Sequence, residues 1–289
     1  MATIEGFRIR NYKALRDVTM GCLWNTQKVK PLTPMTAVIG ENGVGKSSIF
    51  DAFGFLSDCL QHGVEEACDL NGRGGFNRIR SLGTNEPIEF EIYYREDHNS
   101  RPITYELSIA LDSTDRPFVA KERLRQRRKG QKTGRPFSFL VLEKGKGVAW
   151  VEDHQGIKED ETNPIDLDSL IKELRREESN ETETVELDNY RKLGITTIGS
   201  LRQHPRISSF RRFIESWYLS YFTPNAARSL PLAGPQKHLS ATGDNLGNVV
   251  QFMERDYPKK FQSILNRIAE KIPGIDKIST HDTPDGRLL

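Results

Sequence analysis

Two short runs near the N-terminus alternate between apolar and polar residues. The apolar positions are Ile4, Phe7 and Ile9 in the first run, and Leu15, Val18 and Met20 in the second. A period of two residues is typical of strands with one buried face, and the polar residues Arg10 and Asn11 interrupt the pattern. The sequence therefore predicts two short strands joined by a tight turn.

A third apolar run follows a polar, proline-containing stretch. Residues 35–40, MTAVIG, are apolar enough and long enough for a buried strand. Beyond them, apolar residues recur at intervals of three and four, which is the period of a helix with one buried face. They are Ile49, Ala52, Phe53, Leu56, Cys59 and Leu60. This spacing predicts a helix over residues 46–61.

The connection between this predicted strand and helix has the pattern of a phosphate-binding loop. Gly40, Gly45, Lys46 and Ser47 match G-x-x-x-x-G-K-[ST]. Glycines let the backbone turn its N–H groups towards a phosphate, and the start of a helix adds a partial positive charge. A glycine-rich turn without a ligand is the alternative, but the strand and the helix on either side favour the phosphate loop.

The loop predicts ATP and Mg²⁺ as cofactors. The Lys46 ammonium would neutralise the β- and γ-phosphates, the Ser47 hydroxyl would ligate Mg²⁺, and the Ser48 hydroxyl would lie near the α-phosphate. The predicted nucleotide-binding residues of the loop are Gly40, Asn42, Gly43, Val44, Gly45, Lys46, Ser47 and Ser48.

From residue 86 the pattern returns to a period of two. The segments PIEFEIYY, PITYELSIAL and FSFLVLEKGKGVAWVE are typical of an antiparallel sheet with glycine-rich turns. Between two of them lies a basic stretch that places Arg123, Arg125 and Arg127 on one face if it is extended. Such a stripe would suit a nucleic-acid backbone. An exposed hairpin that carries solubilising charge is the alternative.

Residues 153–188 are rich in acidic side chains around one short apolar repeat. This composition predicts an exposed helical insertion with flexible flanks. Regular patterns return near residue 207 with a predicted helix, and residues 217–224, WYLSYFTP, then predict a strand. Two further amphipathic helices are predicted on either side of Pro258, a residue that favours the first turn of a helix.

Composition and charge limit the remaining possibilities. The 289 residues are 36% hydrophobic and 28% charged, with a formal net charge of +2. This balance gives no general attraction to nucleic acid or to anionic membranes, so any basic surface must be local. Three irregularly spaced cysteines, Cys22, Cys59 and Cys68, do not form a disulfide framework. Because no apolar run is long enough to cross a bilayer, we expect a cytoplasmic protein without membrane contact.

The residues around the loop carry a family resemblance. FRIRNYKALRDVTM followed by VIGENGVGKSSIFDAF resembles the N-terminus of the ABC-type ATPase heads of SMC proteins, RecF and OLD-family nucleases. The matching residues beyond the generic loop are Asn42, Gly43, Ser48, Asp51 and Ala52. In such heads the turn after the first strand packs beside the loop, which implies that Arg10, Asn11 and Lys13 lie near the nucleotide. An ordinary solvated turn is the alternative for these three residues.

The resemblance implies an α/β fold, a P-loop NTPase of the ABC-ATPase-head type with a β-rich antiparallel arm and a helical insertion. We therefore expect four segments. Residues 1–85 form the P-loop part of the head, residues 86–152 the β-rich arm, residues 153–206 the acid-rich insertion, and residues 207–289 an incomplete return to the head.

The sequence departs from that family in its C-terminal part. No signature helix and no apolar strand ending in paired acids are evident, although water activation in these ATPases requires the acidic pair. The acids of the tail, Asp276, Asp282 and Asp285, are more typical of a turn, and His281 of ordinary surface. We expect the missing part to belong to a longer protein, and we expect this chain to bind ATP without turning it over.

The resemblance implies ATP-gated dimerisation of two heads, acting on DNA or on a nuclease or toxin partner, as in DNA repair or anti-phage defence. A non-hydrolysing nucleotide sensor is the alternative from another class. A small-substrate P-loop kinase is disfavoured, because the β-rich arm is foreign to that group and no lid pattern flanks the loop.

Overall fold

The alternating residues near the N-terminus form the predicted hairpin. Strand β1 (Thr3–Tyr12) pairs antiparallel with β2 (Leu15–Gly21), and Tyr12 lies opposite Leu15. Phe7 and Ile9 are buried. The turn is tight because Asn11 and Lys13 both adopt positive φ angles, 57° and 49°. Left-handed backbone is uncommon outside glycine, so this turn has a specific geometry.

The structure is a computed structural model that describes residues 2–26, 28–131, 134–151, 166, 171, 182–222, 224–272, 274 and 278–288. The chain divides into two compact units, Met1–Trp217 and Tyr218–Leu289.

An eight-stranded antiparallel sheet organises the first unit, in the order β2-β1-β3-β4-β5-β6-β7-β8. The strands after the hairpin are β3 (Ile88–Arg95), β4 (Ile103–Leu111), β5 (Pro117–Gln126), β6 (Phe137–Glu143), β7 (Lys146–Trp150) and β8 (Thr182–Glu186). The glycine-rich turn between β6 and β7 is a two-residue hairpin loop, in which Lys144 and Gly145 both have positive φ. This geometry matches the twist of the flanking strands.

Helices of the first unit cover the apolar face of the sheet. They are α1 (Lys46–His62), α2 (Val64–Asp69), α3 (Phe76–Ile79), α4 (Gly194–Ile198) and α5 (Pro205–Glu215). Phe55 of α1 stacks near Tyr12 of β1, and Phe210 of α5 packs on Tyr105 of β4. All four rings are fully buried, and each large apolar side chain so buried stabilises the fold by about 1.5–3 kcal/mol. The predicted helix over residues 46–61 is thereby confirmed.

The second unit is a helix pair with an ordered loop. Its helices are α6 (Pro224–Ala227), α7 (Leu246–Asp256) and α8 (Pro258–Lys271). Helices α7 and α8 confirm the two helices predicted on either side of Pro258. The Asn245 side chain accepts a hydrogen bond from Ser240 N, and the buried Asn248 amide donates to the carbonyls of Leu232 and Gly234. Through these hydrogen bonds the two asparagines of residues 243–250, GDNLGNVV, hold the preceding loop in place.

Two predicted strands are wrong. Residues 35–40 form no strand, and Met35 and Ile39 are 89% and 92% exposed. Residues 217–222 are likewise outside any strand, with Tyr218 and Phe222 exposed. Each run is apolar enough for a strand, but the backbone of neither run pairs with a described strand. The sequence pattern also missed β5 and β8, which do have neighbours.

The four predicted segments do not follow the units of the structure. Strand β1 pairs with β3, so residues on both sides of position 86 share one sheet. Most of the acid-rich stretch, residues 153–188, which was predicted to be helical, lies outside the described residues.

Cys22, Cys59 and Cys68 are buried free thiols. None of the described helices is both long and apolar enough to cross a membrane.

Candidate functional site

The loop before α1 has the backbone that a phosphate cradle requires. Gly43 and Gly45 adopt positive φ angles of 85° and 98°. A Cβ atom on Gly45 would lie 3.1 Å from Leu15 Cδ2 and 3.4 Å from Ala14 Cβ, so the loop packs directly on the β1–β2 turn. At Gly43, by contrast, the positive φ alone favours glycine, because an added Cβ would meet nothing within 4 Å.

Lys46, the first residue of α1, folds over the loop. Its Nζ donates hydrogen bonds to the carbonyl oxygens of Gly40 (2.7 Å) and Glu41 (2.6 Å). No carboxylate in the described ranges forms an ion pair with it. Because both acceptors are neutral, the ammonium charge is not offset within the loop and attracts an anion.

The N-terminus of α1 is left without a side-chain cap. The residue before the helix is Gly45, which has no side chain to accept from the first backbone N–H groups. The helix is 17 residues long, and its dipole adds to the field of those N–H groups. The Ser47 and Ser48 hydroxyls form no hydrogen bond with another described residue. This end of α1 therefore offers donors and positive potential with no internal acceptor.

Of the three residues predicted beside the nucleotide from the β1–β2 turn, the structure brings one to the loop helix. Arg10 is ion-paired with Glu89 at 2.7 Å, and Asn11 Nδ2 donates to the Pro87 carbonyl at 2.9 Å. Lys13, in contrast, forms an ion pair with Asp51 of α1. Nucleotide contact by Arg10 and Asn11 stays a prediction, and the contacts given above are with β3 and the residue before it.

Asp51 is the centre of a buried polar network that the sequence did not predict. Its Oδ2 accepts from Tyr12 Oη at 2.7 Å and contacts Lys13, and its Oδ1 accepts from Arg73 Nε at 3.2 Å. Burial alone would raise the pKa of Asp51, but the hydrogen bonds from Lys13 and Tyr12 and the Arg73 charge outweigh it and lower that pKa. Asp51 is therefore a weak base.

Arg73 completes the network from the loop between α2 and α3. Its guanidinium donates to Asp58 Oδ2 at 2.5 Å and to the Ala67 carbonyl at 3.1 Å. Only 1% of the Arg73 side chain is exposed. The family resemblance already includes Asp51. No sequence pattern predicts a role for Arg73, because it lies in a glycine-rich stretch without hydrophobic periodicity.

The arginines predicted as a nucleic-acid stripe do lie on one strand, but two of them are not exposed. Arg123 and Arg125 of β5 are 5% and 4% exposed, and both contact Glu106 Oε2, at 3.2 and 3.1 Å. The exposed stripe and the exposed hairpin are both wrong for these two residues. The physical reason is that β5 lies inside the sheet, directly beside Glu106 of β4.

Arg127 lies beyond the end of β5. Its guanidinium donates to the carbonyl oxygens of Gly134 (3.1 Å) and Trp24 (2.7 Å), and the residue is half-buried. Nucleic-acid contact stays a prediction for Arg127, which is the most accessible of the three arginines.

The acids of the tail belong to the second unit. Asp285 accepts from the Thr283 hydroxyl and pairs with Arg287 at 3.3 Å, as expected for a turn. Asp276 lies outside the described residues. In the described part of the chain, no three His, Cys, Asp or Glu side chains come together to hold a metal ion.

A magnesium nucleotide nevertheless fits the loop. Magnesium binds nucleotides chiefly through phosphate oxygens, water and one or two protein oxygens, so a single serine ligand is sufficient on the protein side. The uncapped helix start, the Lys46 charge and the exposed Ser47 hydroxyl provide the three elements that a Mg²⁺-bound phosphate chain needs.

Comparison with known proteins agrees with this geometry. A family model described as "AAA domain, putative AbiEii toxin, Type IV TA system" matches residues 35–288. The matched range covers the loop, α1 and the helices of the second unit. No curated protein and no solved structure is significantly similar to the chain.

Proposed function

The chain belongs to this family of AAA domains, a group of P-loop ATPase domains, and from that membership we propose that it is an ATP-binding head of the ABC type, similar to those of RecF, SMC and OLD proteins. The observation that carries the proposal is the uncapped start of α1 with the unneutralised Lys46 charge over it. ATP with Mg²⁺ is the proposed ligand.

The residues of the loop would divide the work of binding. Backbone N–H groups at the start of α1 would donate to the phosphates. The Lys46 ammonium would exchange its two carbonyl partners for phosphate oxygens, a stronger charge-assisted contact. The Ser47 hydroxyl would hold Mg²⁺, which would offset the negative charge of the phosphates when bound.

Hydrolysis requires a further group that orients and activates water. Of the two acids on α1, Asp51 is the one nearer the loop, but it contacts Lys13, Tyr12 and Arg73, and these contacts lower its pKa. A carboxylate held in this way is a poor general base. We therefore propose that the 289-residue chain alone binds ATP without turning it over, because Asp51 is held away from water activation.

We propose that ATP drives association of two heads in the cytoplasm. The exposed apolar residues next to the loop, Met35, Ile39 and Val44, support a surface that is covered on association. The proposed downstream action is on DNA or on a nuclease or toxin partner, in DNA repair or anti-phage defence. The family description, which names a putative toxin of a type IV TA system, supports a role connected with a toxin.

A nucleotide sensor that does not hydrolyse ATP is the second candidate function. The contacts that occupy Asp51 favour it, because they remove the acid of α1 nearer the loop from water activation. ATP would then act as a structural ligand. Steady-state phosphate release with an activating acid supplied by an added segment separates the two: turnover that depends on Lys46 supports the ATPase, and tight binding that stays without turnover under this condition supports the sensor.

Replacing Ser47 with alanine is expected to remove the gain in ATP affinity that Mg²⁺ provides. Calorimetric titration with ATP in Mg²⁺ and in EDTA gives that gain for each variant. We expect the wild-type gain to fall by about fivefold or more in the Ser47→Ala variant, because one metal ligand is lost.

The matched control is Ser113→Ala, which changes an exposed serine in the turn between β4 and β5. It should keep the wild-type dependence on Mg²⁺. If the wild-type protein binds no ATP under either condition, the proposed function is wrong. If binding occurs but Ser47→Ala behaves like the control, only the metal assignment is wrong.

A DNA partner can be tested at Arg127. Because Arg123 and Arg125 are held by Glu106, replacing Arg127 alone is expected to weaken DNA binding equally for unrelated sequences. The slope of log K against log salt should become shallower by about one unit, as for the loss of one phosphate contact. Lys146→Gln, on an exposed pair with Glu186, is the control. An Arg127→Gln variant with the wild-type salt slope would exclude this residue from any DNA interface.

A further inference from the structure

A cavity of the first unit lies on the face of the sheet that the helices do not cover. Tyr94 of β3 packs on Phe210 of α5, so its neighbour Tyr93, which lines the cavity, projects from the opposite face. The volume of the cavity is about 310 Å³, at the lower end of the range for small-ligand sites. None of the loop residues 40–48 lines it. The cavity is therefore separate from the proposed ATP site.

The wall of this cavity is apolar and aromatic. Cys22, Leu23 and Tyr93 form a small hydrophobic cluster apart from the main core, and the half-buried Trp24 packs against it. Trp24 is also held through its backbone, because its carbonyl accepts from the Arg127 guanidinium at 2.7 Å. The other apolar lining residues are Val29, Pro31, Pro102 and Pro136. Aromatic rings and prolines in a concave wall suit a flat ligand group.

The polar groups that line the cavity are mostly donors. Three guanidinium groups take part, those of Arg95, Arg101 and Arg127. Among the described lining residues Glu5 is the one acid, and it accepts from Arg95 Nε at 2.5 Å. Arg101 donates to the Arg127 carbonyl at 2.8 Å, which joins two of the guanidinium-bearing residues at the cavity. A ligand that meets such donors has to present acceptor atoms.

Exposed cations flank the cavity on two segments of the chain. Lys28 and Lys30 alternate with the lining residues Val29 and Pro31, and Lys129 lies in the connection between β5 and β6. These lysines give a local positive potential on a chain whose formal net charge is only +2. The surface around the cavity therefore attracts an anion.

We propose that this cavity binds one unpaired nucleotide, with its base against Trp24 and its phosphate among the cations at the rim. Any base can stack on an aromatic ring, whereas the bases of a duplex are already paired and stacked on one another. A free mononucleotide and an unpaired residue of a nucleic-acid strand share this chemistry. An acidic peptide is disfavoured, because it brings the anion without the flat ring. The inference goes beyond the proposed function and does not require ATP at the loop.

The probe is a fluorescently labelled oligothymidylate of about eight residues, titrated by anisotropy at several salt concentrations. The wild-type protein should bind it at least about tenfold more tightly than a duplex of the same length. Trp24→Ala should weaken single-strand binding by about tenfold, because a stacking contact is lost. Trp24→Phe keeps a ring and should retain most of the affinity. The matched control is Tyr257→Ala, at an exposed aromatic residue of the second unit, which should bind as the wild type does.

A second pair of variants tests the charge without changing the wall. Replacing Lys28 and Lys30 together with glutamine should make the slope of log K against log salt shallower by about one to one and a half units, as for the loss of two phosphate contacts to a single strand. Replacing Lys259 and Lys260 of α8 with glutamine removes the same charge and should leave the slope unchanged. Because all four lysines are exposed, this comparison decides the matter even if Trp24→Ala does not fold.

Thymidine monophosphate, used as a competitor, distinguishes the two sources of a nucleotide. Trp24-dependent binding of the monophosphate assigns the cavity to a free nucleotide, and Trp24-dependent binding of the oligonucleotide alone assigns it to a strand. Both results support the inference.

Three results would overturn the inference: equal affinity for single strand and duplex, wild-type affinity in a folded Trp24→Ala variant, or equally tight, Trp24-dependent binding of polyglutamate. Such a failure is distinct from failure of the proposed function. ATP binding without Trp24-dependent nucleotide binding refutes only this inference, while Trp24-dependent binding in a protein that does not bind ATP refutes only the ATP site.

Discussion

Replacing Lys46 with alanine is expected to weaken ATP binding by at least about tenfold, which corresponds to roughly 1.4 kcal/mol. The lysine places its ammonium over the loop, where its acceptors are the neutral carbonyls of Gly40 and Glu41. Phosphate oxygens would replace these acceptors with charged ones, so the variant loses a charge-assisted contact while the fold keeps its buried residues. Calorimetric titration with ATP in Mg²⁺ measures the change.

The matched control for this variant is Lys259→Ala, which removes an exposed lysine from the first turn of α8 in the second unit. Its ATP affinity should equal that of the wild-type protein, and circular dichroism should show the same thermal transition for all three proteins. An Lys46→Ala variant that binds ATP as tightly as the control would show that the nucleotide does not lie on this loop.

Stability of the first unit is expected to fall as the pH rises from about 4.5 to about 7, because of Glu122. This residue of β5 is fully buried, and burial raises its pKa from 4.5 to about 7 even though its carboxylate accepts from the N–H groups of Gly194 and Ile195 and from Tyr105. Between the two pKa values the folded protein keeps a proton that the unfolded chain releases. Folding is therefore favoured at the acidic end of this range and loses that advantage towards pH 7, by up to about 3 kcal/mol.

Urea unfolding at several pH values between 4.5 and 8 measures this dependence. Glu122→Gln stays neutral at every pH and should flatten the curve. Glu91 needs its own variant, Glu91→Gln, because burial and the nearby Glu106 raise its pKa to about 7 as well. Glu143→Gln, at an exposed position, is the neutral control. If Glu122→Gln keeps the wild-type slope, Glu122 is ionised in the folded protein throughout the range.

Features determined by neighbouring residues in the sequence could be predicted. The hairpin β1–β2, the helix α1 and the loop between them depend on periodicity and on residues within a few positions of one another, and the structure confirms the strands and the helix. The phosphate-binding role of the loop rests on the same local pattern. It agrees with the family match over residues 35–288.

Features determined by residues that are distant in the sequence could not be predicted. Residues 35–40 have a strand's composition, but a strand also needs a neighbour, and no sequence pattern supplies it. Arg123 and Arg125 alternate as an exposed stripe would, and only the position of Glu106 on the adjacent strand shows why they are buried. The contact between Arg73 and Asp51 joins a loop to a helix, and neither segment predicts the other.

The order of strands in the sheet has a consequence for how the first unit folds. Strands β3 to β7 follow one another as neighbours, so they can form by successive hairpins with little loss of chain entropy. The pairing of β1 with β3 is different, because the nucleotide loop and α1 to α3 lie between these two strands. Closing that pairing orders the loop and brings Tyr12 against Asp51. The site therefore forms only in the slow, long-range step of folding. A nucleotide would bind and stabilise only chains in which β1 and β3 have paired.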